Sequence, residues 1–242
     1  MKAAKDMKVG NNIKTERANW SFSDGVADTF VEHITKSVPF YDQGHELVNE
    51  LSDFFVQDSS VCYELGTSTG ELIAKLAEHN AHKKNTRWIG LDVEPQMVAH
   101  AKQHCARHNN VDISCEDITQ FEFEKSDFIV AYYCMQFIQP RLRQQLFDKI
   151  HQSLNWGGAF VMFEKVRGPD ARFQDIAAQL YTEFKLSQGF DEVEIVNKSR
   201  SLKSVLEPFS TQGNIDLLKR AGFVDVTTVF KYICFEGFLA IK

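Results

Sequence analysis

The ten residues Val61-Cys62-Tyr63-Glu64-Leu65-Gly66-Thr67-Ser68-Thr69-Gly70 constrain this chain more than any other stretch. A short apolar strand ends in an acid, passes through a glycine turn and opens a helix. Gly66 and Gly70 let backbone approach a ligand closely. The helix starting between Thr69 and Leu72 offers unpaired N–H groups and the positive end of its dipole. A second apolar strand, Trp88-Ile89-Gly90-Leu91-Asp92, ends in another acid about twenty residues on. An acid there is placed to accept hydrogen bonds from the two ribose hydroxyls of a nucleoside.

From Val61 onward strand-like and helix-like patterns alternate. The strand-like runs are 61–65, 87–92, 111–115, 128–133 and 159–164, and the helical patterns between them are 71–79, 96–108 and 141–154. Asn155-Trp156-Gly157-Gly158 reads as the stop of the last of these helices. Such alternation predicts a parallel sheet with right-handed crossovers and helices on both faces. Residues 172–207 break the rhythm with one long amphipathic helix and a polar segment, an insertion placed to cover a ligand site or meet a partner. A helix over 215–221, stopped by Gly222, then precedes two strands, 224–230 and 233–241. Their connection is too short for a crossover helix, so they pair as an antiparallel hairpin. Ahead of the alternation, helices are expected at 25–36 and 44–55, with Pro39 breaking the chain between them and leaving Tyr41 in the connecting loop.

A chain of 242 residues is expected to form one domain. Its parts are an N-terminal helical cap (1–56), a ligand-binding core (61–164), a helical insertion (170–210) and a closing helix and hairpin (213–242). No apolar run approaches the roughly 18 residues that span a bilayer. The basic start Met1-Lys2-Ala3-Ala4-Lys5-Asp6 has no apolar stretch behind it, which argues against a secretory signal. Five scattered cysteines, Cys62, Cys105, Cys115, Cys134 and Cys234, read as buried thiols in a reducing cytoplasm. A net charge of −6 argues against a surface that binds nucleic acid all over. Local basic clusters (Lys198, Arg200 and Lys203; Arg141 and Arg143) read as solvated faces. His100, His104 and His108 share one helix face, but they read as polar surface, and no metal site is expected.

A terminal hairpin on a parallel sheet, behind an acid-Gly-x-x-x-Gly turn, resembles the class I S-adenosylmethionine-dependent methyltransferases rather than nicotinamide oxidoreductases. That resemblance implies a Rossmann-like α/β sheet of seven strands, mostly parallel, with helices on both faces. Other stretches are similar to one branch of that superfamily, the carboxy-S-adenosylmethionine-dependent enzymes that carboxymethylate the wobble uridine of tRNA. They are Asn19-Trp20-Ser21-Phe22, Ser37-Val38-Pro39-Phe40-Tyr41, Glu116-Asp117-Ile118, Gln136-Phe137-Ile138, Leu154-Asn155-Trp156-Gly157-Gly158-Ala159 and Glu164-Lys165. Ser68 stands where the wider superfamily has glycine and this branch has serine.

The resemblance implies S-adenosyl-L-methionine, or carboxy-S-adenosyl-L-methionine, as cofactor. It has Tyr41 contacting the ligand from the N-terminal segment and Gly66, Thr67 and Ser68 lining its amino-acid end, with Glu64 and Gly70 also among the cofactor-binding residues. Asp92 and Val93 would hold the ribose and flank the adenine, Asp117 and Ile118 would address the adenine edge, and Tyr132 completes the set. Tyr132 and Tyr133, with Gln136, follow the fourth strand, where acceptors lie in such a fold. Trp20 and Phe22 read equally well as a plug over the cofactor or as core anchors. Glu164 and Lys165 read as a structural ion pair.

Two positions depart from the branch: Tyr132 stands where it has asparagine, and Ser199 where it has an arginine that grips the extra carboxylate, with Arg200 one residue later. A charge-assisted arginine–carboxylate contact contributes about 1.5–3 kcal/mol, so its loss shifts cofactor choice roughly ten- to a hundredfold. Arg200 is the candidate to replace it. On this basis plain methyl transfer, to a small molecule or tRNA, is expected ahead of carboxymethyl transfer to tRNA. A non-catalytic cofactor-binding paralogue is the third reading. Phe173, Ile176, Leu180 and Phe184 of the insertion require an apolar cover, supplied by a second copy in a homodimer or by the chain's own sheet.

Overall fold

The structure, a computed structural model, describes residues 7–9, 14–15 and 26–242. Trp20 and Phe22, read as either a plug over the cofactor or core anchors, lie outside the described residues. A small antiparallel pair, β1 (Met7–Lys8) and β2 (Lys14–Thr15), stands apart from the main sheet. Helices α1 (Val26–Ser37) and α2 (Tyr41–Ser52) precede the alternating core. That core runs β3 (Val61–Leu65), α3 (Glu71–His79), β4 (Arg87–Asp92), α4 (Pro95–His104), β5 (Val111–Cys115), β6 (Ser126–Tyr132), a 3-10 turn (Met135–Phe137), α5 (Pro140–Ser153) and β7 (Leu154–Lys165). The insertion is α6 (Ala171–Ser187) and α7 (Glu192–Ser201); α8 (Thr211–Ala221), β8 (Asp225–Tyr232) and β9 (Phe235–Ile241) close the chain.

The seven strands lie in the order β5-β4-β3-β6-β7-β9-β8, parallel except for β9, which is antiparallel to both β7 and β8. The central strands are buried on both faces, because alternate side chains enter two separate cores. Cys62, Trp88, Phe128, Val130 and Phe163 join α2, α3 and α4 on one side. Tyr63, Leu65, Ile129, Ala131 and Phe160 join α5 and α8 on the other. All parallel strands therefore end at one edge, and the loops beyond it form the cavity described below.

Several elements differ from the sequence expectation. Tyr41 is the first residue of α2 and not part of a loop, since Phe40 at φ 56° turns the chain sharply enough for the helix to begin at once. Gly44 lies inside that helix, and packing explains it: a Cβ there would sit on the Tyr132 hydroxyl, with Cζ 3.0 Å away. β7 begins at Leu154 and incorporates the segment expected to stop α5. The backbone of Gly157 and Gly158 pairs with Lys242, so tertiary pairing turns a stop signal into strand. The insertion is two helices. Gly189 at φ 90° ends the first, and a capping box of Asp191 and Glu194 starts the second. No residue of α6 is buried, and Phe173, Ile176 and Leu180 are exposed, so the chain's own sheet does not cover this row.

The Tyr132 hydroxyl donates to the Tyr41 carbonyl at 2.6 Å, tying β6 to α2 across the space that Gly44 leaves open. Gly44→Ala should therefore destabilise the fold by about 1–3 kcal/mol through overpacking. Combined with Tyr132→Phe, which removes the obstructing hydroxyl, it should cost clearly less than the sum of the single changes. Urea unfolding of the four proteins measures this, and strict additivity would refute the contact.

Candidate functional site

A cavity of about 1350 Å³ opens at the carboxyl edge of β3, β4, β6 and β7 and is walled on the far side by α1, α6 and α7. The turn after β3 forms its floor. Gly66, Ser68 and Gly70 all adopt positive φ (73°, 52° and 85°), and the Gly66 and Thr67 amides both donate to the Leu91 carbonyl, at 2.8 and 3.0 Å. A Cβ on Gly66 would lie 2.6 Å from the Cys134 sulfur, so both conformation and space require glycine there.

Asp92 closes the turn from β4. Its Oδ2 accepts the Ser68 amide at 2.8 Å and its Oδ1 accepts the Glu94 amide at 2.9 Å. Each oxygen keeps a second lone pair, enough for two further donors. Burial raises the Asp92 pKa, while these backbone donors pull it the other way. Glu64, fully enclosed at the end of β3, accepts from the Thr67 hydroxyl at 2.6 Å. Burial pushes its pKa to about 8. Thr67 and the Ile73 amide oppose that shift, and Asp92 and Glu71 add to it. Glu64 is therefore largely neutral near neutral pH.

The remaining expected residues divide. Tyr41, Thr67, Val93, Asp117, Ile118, Tyr132 and Tyr133 all line the cavity with Glu64, Gly66, Ser68 and Asp92. Asp117 Oδ1 is occupied by the Thr119 amide and hydroxyl, at 2.9 and 2.8 Å. Tyr133 leaves β6 at φ 57°, which places its ring near those of Tyr41 and Tyr132, at centroid distances of 6.5 and 4.8 Å. Gly70 is not on the wall: it packs against α4, where a Cβ would meet Cys105 Sγ at 3.0 Å and Ala101 Cα at 3.1 Å. Arg200 is exposed and off the wall, whereas Ser199 lines it. Both sit on α7, where one residue turns the side chain by about 100°.

The basic residues also depart from expectation. Arg143 is buried, and its guanidinium donates to the carbonyls of Ile138, Gln136 and Glu207 at 2.8, 3.1 and 2.7 Å while stacking on Phe209. It holds the segment after the 3-10 turn to the start of the closing unit. Glu164 and Lys165 form no ion pair, because neighbours on a strand point to opposite faces. Glu164 is buried on the Arg143 side, and Lys165 enters the cavity. Lys185 and Lys198, from α6 and α7, line the same wall. Sequence reading missed Lys165 and Lys185 as site residues. The available signals were a lysine ending an otherwise buried strand and a lysine on the apolar helix of the insertion. Among the described residues there is no group of three or more potential metal ligands, and no helix is long and apolar enough to cross a membrane.

The model of a family described as "Methyltransferase domain" matches residues 63–158, which hold the glycine turn, both strand-end acids and β6. A carboxy-S-adenosyl-L-methionine synthase from Staphylococcus epidermidis is 37% identical over 224 residues, spanning 92% of this chain and 97% of that protein. One from Ruthia magnifica is 35% identical over 236 residues, covering 96% and 99%. The chain belongs to the carboxy-S-adenosyl-L-methionine synthase family. Among solved structures, an O-methyltransferase-like protein from Nostoc punctiforme superposes with a TM-score of 0.63 at 14% identity, covering 90% of this chain and 61% of that one. Human N-acetylserotonin methyltransferase, solved with SAM, superposes with a TM-score of 0.55 at 18% identity, covering 90% and 65%. These two establish the class I methyltransferase fold, and the expected cofactor class, S-adenosyl-L-methionine, agrees with this SAM-binding fold.

Membership in the synthase family overturns the expected activity. The relatives are named for making carboxy-S-adenosyl-L-methionine, not for methylating an acceptor, carboxymethylating tRNA or binding a cofactor without catalysis. Of the segments that suggested a tRNA carboxymethyltransferase, those holding Tyr41, Asp117, Ile118, Gln136 and Lys165 line the cavity, whereas residues 154–159 begin β7 away from it.

The raised Glu64 pKa sets a pH dependence. The unfolded carboxyl ionises near its ordinary value of 4.5, whereas the folded one stays protonated to about 8. Between those values the unfolded state releases its proton first, so the contribution of Glu64 to stability falls as pH rises, by up to about 1.4 kcal/mol per pH unit. Glu64→Gln should become progressively more stable relative to wild type from pH 5 to about 8, measured by urea unfolding. A constant difference across that range would mean that Glu64 is already ionised in the fold.

Proposed function

We propose that this protein converts S-adenosyl-L-methionine into carboxy-S-adenosyl-L-methionine, taking the carboxyl group from a small carboxylic acid. The observation that carries this is identity of 35–37% to synthases of that compound along nearly the whole chain. The cavity supports it by joining strand-end acids to an inward-facing group of lysines.

Asp92 holds the ribose with its two remaining lone pairs, and Val93 and Ile118 flank the adenine. Asp117 accepts from the adenine edge. Gly66, Thr67 and Ser68 carry the amino-acid end, with Tyr41 and Glu64 beside it. Tyr132 fixes Tyr41 through its carbonyl, and Tyr133 walls the region next to the sulfonium. The N-terminal helices, the core and the insertion all contribute to this wall, so the chain acts as one catalytic domain.

The overall change replaces one C–H bond of the sulfonium-bound methyl with a C–C bond to a carboxyl carbon. The positive sulfur acidifies that methyl, so it can give up a proton. The donor loses its carboxyl by breaking a C–C bond, and the electron pair left behind takes up the proton. Atoms and electrons balance without an oxidant or reductant. The protein's task is to hold the methyl and the departing carboxyl within about 3–3.5 Å and to exclude water, which would otherwise quench the carbanion.

The exposed row Phe173, Ile176 and Leu180 of α6 is where two copies meet in this scheme, and the free cysteines fit a reducing cytoplasm.

Incubating the protein with S-adenosyl-L-methionine and a pool of biological carboxylic acids should yield, by mass spectrometry, a sulfonium heavier by one carboxyl group. Asp92→Ala should weaken binding of S-adenosyl-L-methionine by on the order of ten- to a hundredfold in calorimetry. No carboxylated sulfonium with any donor, or unchanged affinity in Asp92→Ala, would refute the assignment.

A further inference from the structure

Charge is divided along the sheet edge. Glu64, Asp92 and Asp117 stand at or just beyond the ends of β3, β4 and β5. Two strands away, Lys165 ends β7, and Lys185 reaches toward it from the last turn of α6. Both ammonium groups lie over the ring of Tyr181, at 4.2 and 4.5 Å from its centroid. The ring itself is fixed. Its hydroxyl donates to the Ser37 carbonyl at 2.9 Å, and Phe235 packs edge-on at 5.2 Å.

Neither lysine has a carboxylate within ion-pair distance among the described residues. An aromatic face compensates only part of the desolvation of a buried ammonium, and two ammonium groups on one ring also repel each other. Burial lowers the pKa of both. Lys165 lowers that of Lys185 further, to about 8, and the buried Cys234 thiol is the neighbour pulling the other way. Two half-compensated cations facing an open cavity are a site for an anion. The Ser199 hydroxyl on the same wall supplies a hydrogen-bond donor but no charge.

We infer that Lys165 and Lys185, held on Tyr181, bind a carboxylate in this cavity and supply the charge that Ser199 lacks. This rests on the proposed synthesis of a carboxylated sulfonium. The carboxylate has two chemically equivalent sources, the group newly attached beside the sulfonium and the group the donor brings in. Lys165 and Lys185 therefore determine specificity, while Asp92 at the end of β4 serves the ribose.

Calorimetry with S-adenosyl-L-methionine and its carboxylated form, together with donor kinetics, separates these sources. Lys165→Met and Lys185→Met keep the apolar length and remove the charge. If the product's carboxylate is held, each variant should lose about tenfold or more in affinity for the carboxylated sulfonium, with little change for S-adenosyl-L-methionine. If the donor's carboxylate is held, the donor KM should rise by a similar factor while discrimination between the sulfonium compounds persists. Lys185→Arg, which retains the cation, should restore most of either loss. Lys165→Gln and Lys185→Gln serve where a methionine variant does not fold. Wild-type protein that makes no carboxylated sulfonium would refute the proposed function. Normal product formation with unchanged discrimination and donor KM in the charge-removing variants would overturn this inference alone.

Discussion

The union between the turn after β3 and the end of β4 is the constraint on which the cavity depends. Three residues in five, Gly66, Ser68 and Gly70, are left-handed. Glycine enters that region freely, but a residue with a Cβ does so at roughly 1–2 kcal/mol. Ser68 bears this cost because its amide is held by the Asp92 carboxylate, a charge-assisted bond stronger than an ordinary one. Leu91 supplies the other half of the seam by accepting both Gly66 and Thr67. The acid proposed to hold the ribose thus also builds the turn that lines the cavity.

Two carboxyl groups stand at neighbouring strand ends, and burial of Glu64, with a smaller push from Asp92, favours its protonated form. Glu64 is enclosed and keeps its proton to about 8, while Asp92 accepts two backbone amides. One buried anion rather than two then faces the space assigned to the sulfonium compound, avoiding the repulsion of like charges in low dielectric. Arg143 solves a related problem on the other side of the sheet. Its buried guanidinium is satisfied by three main-chain carbonyls, so a single side chain fastens the 3-10 turn to the chain entering α8. Neither solution is visible in sequence, because each depends on which groups are excluded from water.

What the sequence made legible was local. The bounds of β3, β4, β5 and α3 were read to the residue, since each apolar strand stops at an acid or turn and the helix opens just after Gly70. The parallel core and the antiparallel closing hairpin also followed from connection lengths. What stayed hidden depends on distant partners. Leu154–Gly158 is drawn into β7 by pairing with Lys242, and Gly44 looks like a helix start until Tyr132 is seen beside it. The split of the insertion was the exception, because Gly189 followed by Asp191 and Glu194 was a readable stop and start. At the cavity, the strand-end residues named from sequence do line the wall, because position along a parallel sheet predicts which loops face it. Lys165, read only as half of an ion pair, and Lys185, in no motif, reach the same Tyr181 ring from β7 and α6. Arg200 is off the cavity wall for a geometric reason, since one step along α7 turns its side chain by about 100° from Ser199, which lines it.

The direction in which cationic charge points is consistent with the proposed synthesis of a carboxylated sulfonium rather than its transfer to a nucleic acid. A protein that receives a polyanionic acceptor presents lysine and arginine outward, where phosphates displace counterions. Here the net charge is −6, Arg143 is consumed by backbone carbonyls, and Lys165 and Lys185 face an internal cavity from opposite walls. Cations placed this way select a small anion that enters the cavity whole, because a buried ammonium must regain its lost hydration from partners at short range. The insertion reinforces that selection by supplying both a wall of the enclosure and one of its two charges. Burial of charge, more than any motif, therefore marks the anion site inferred for this chain.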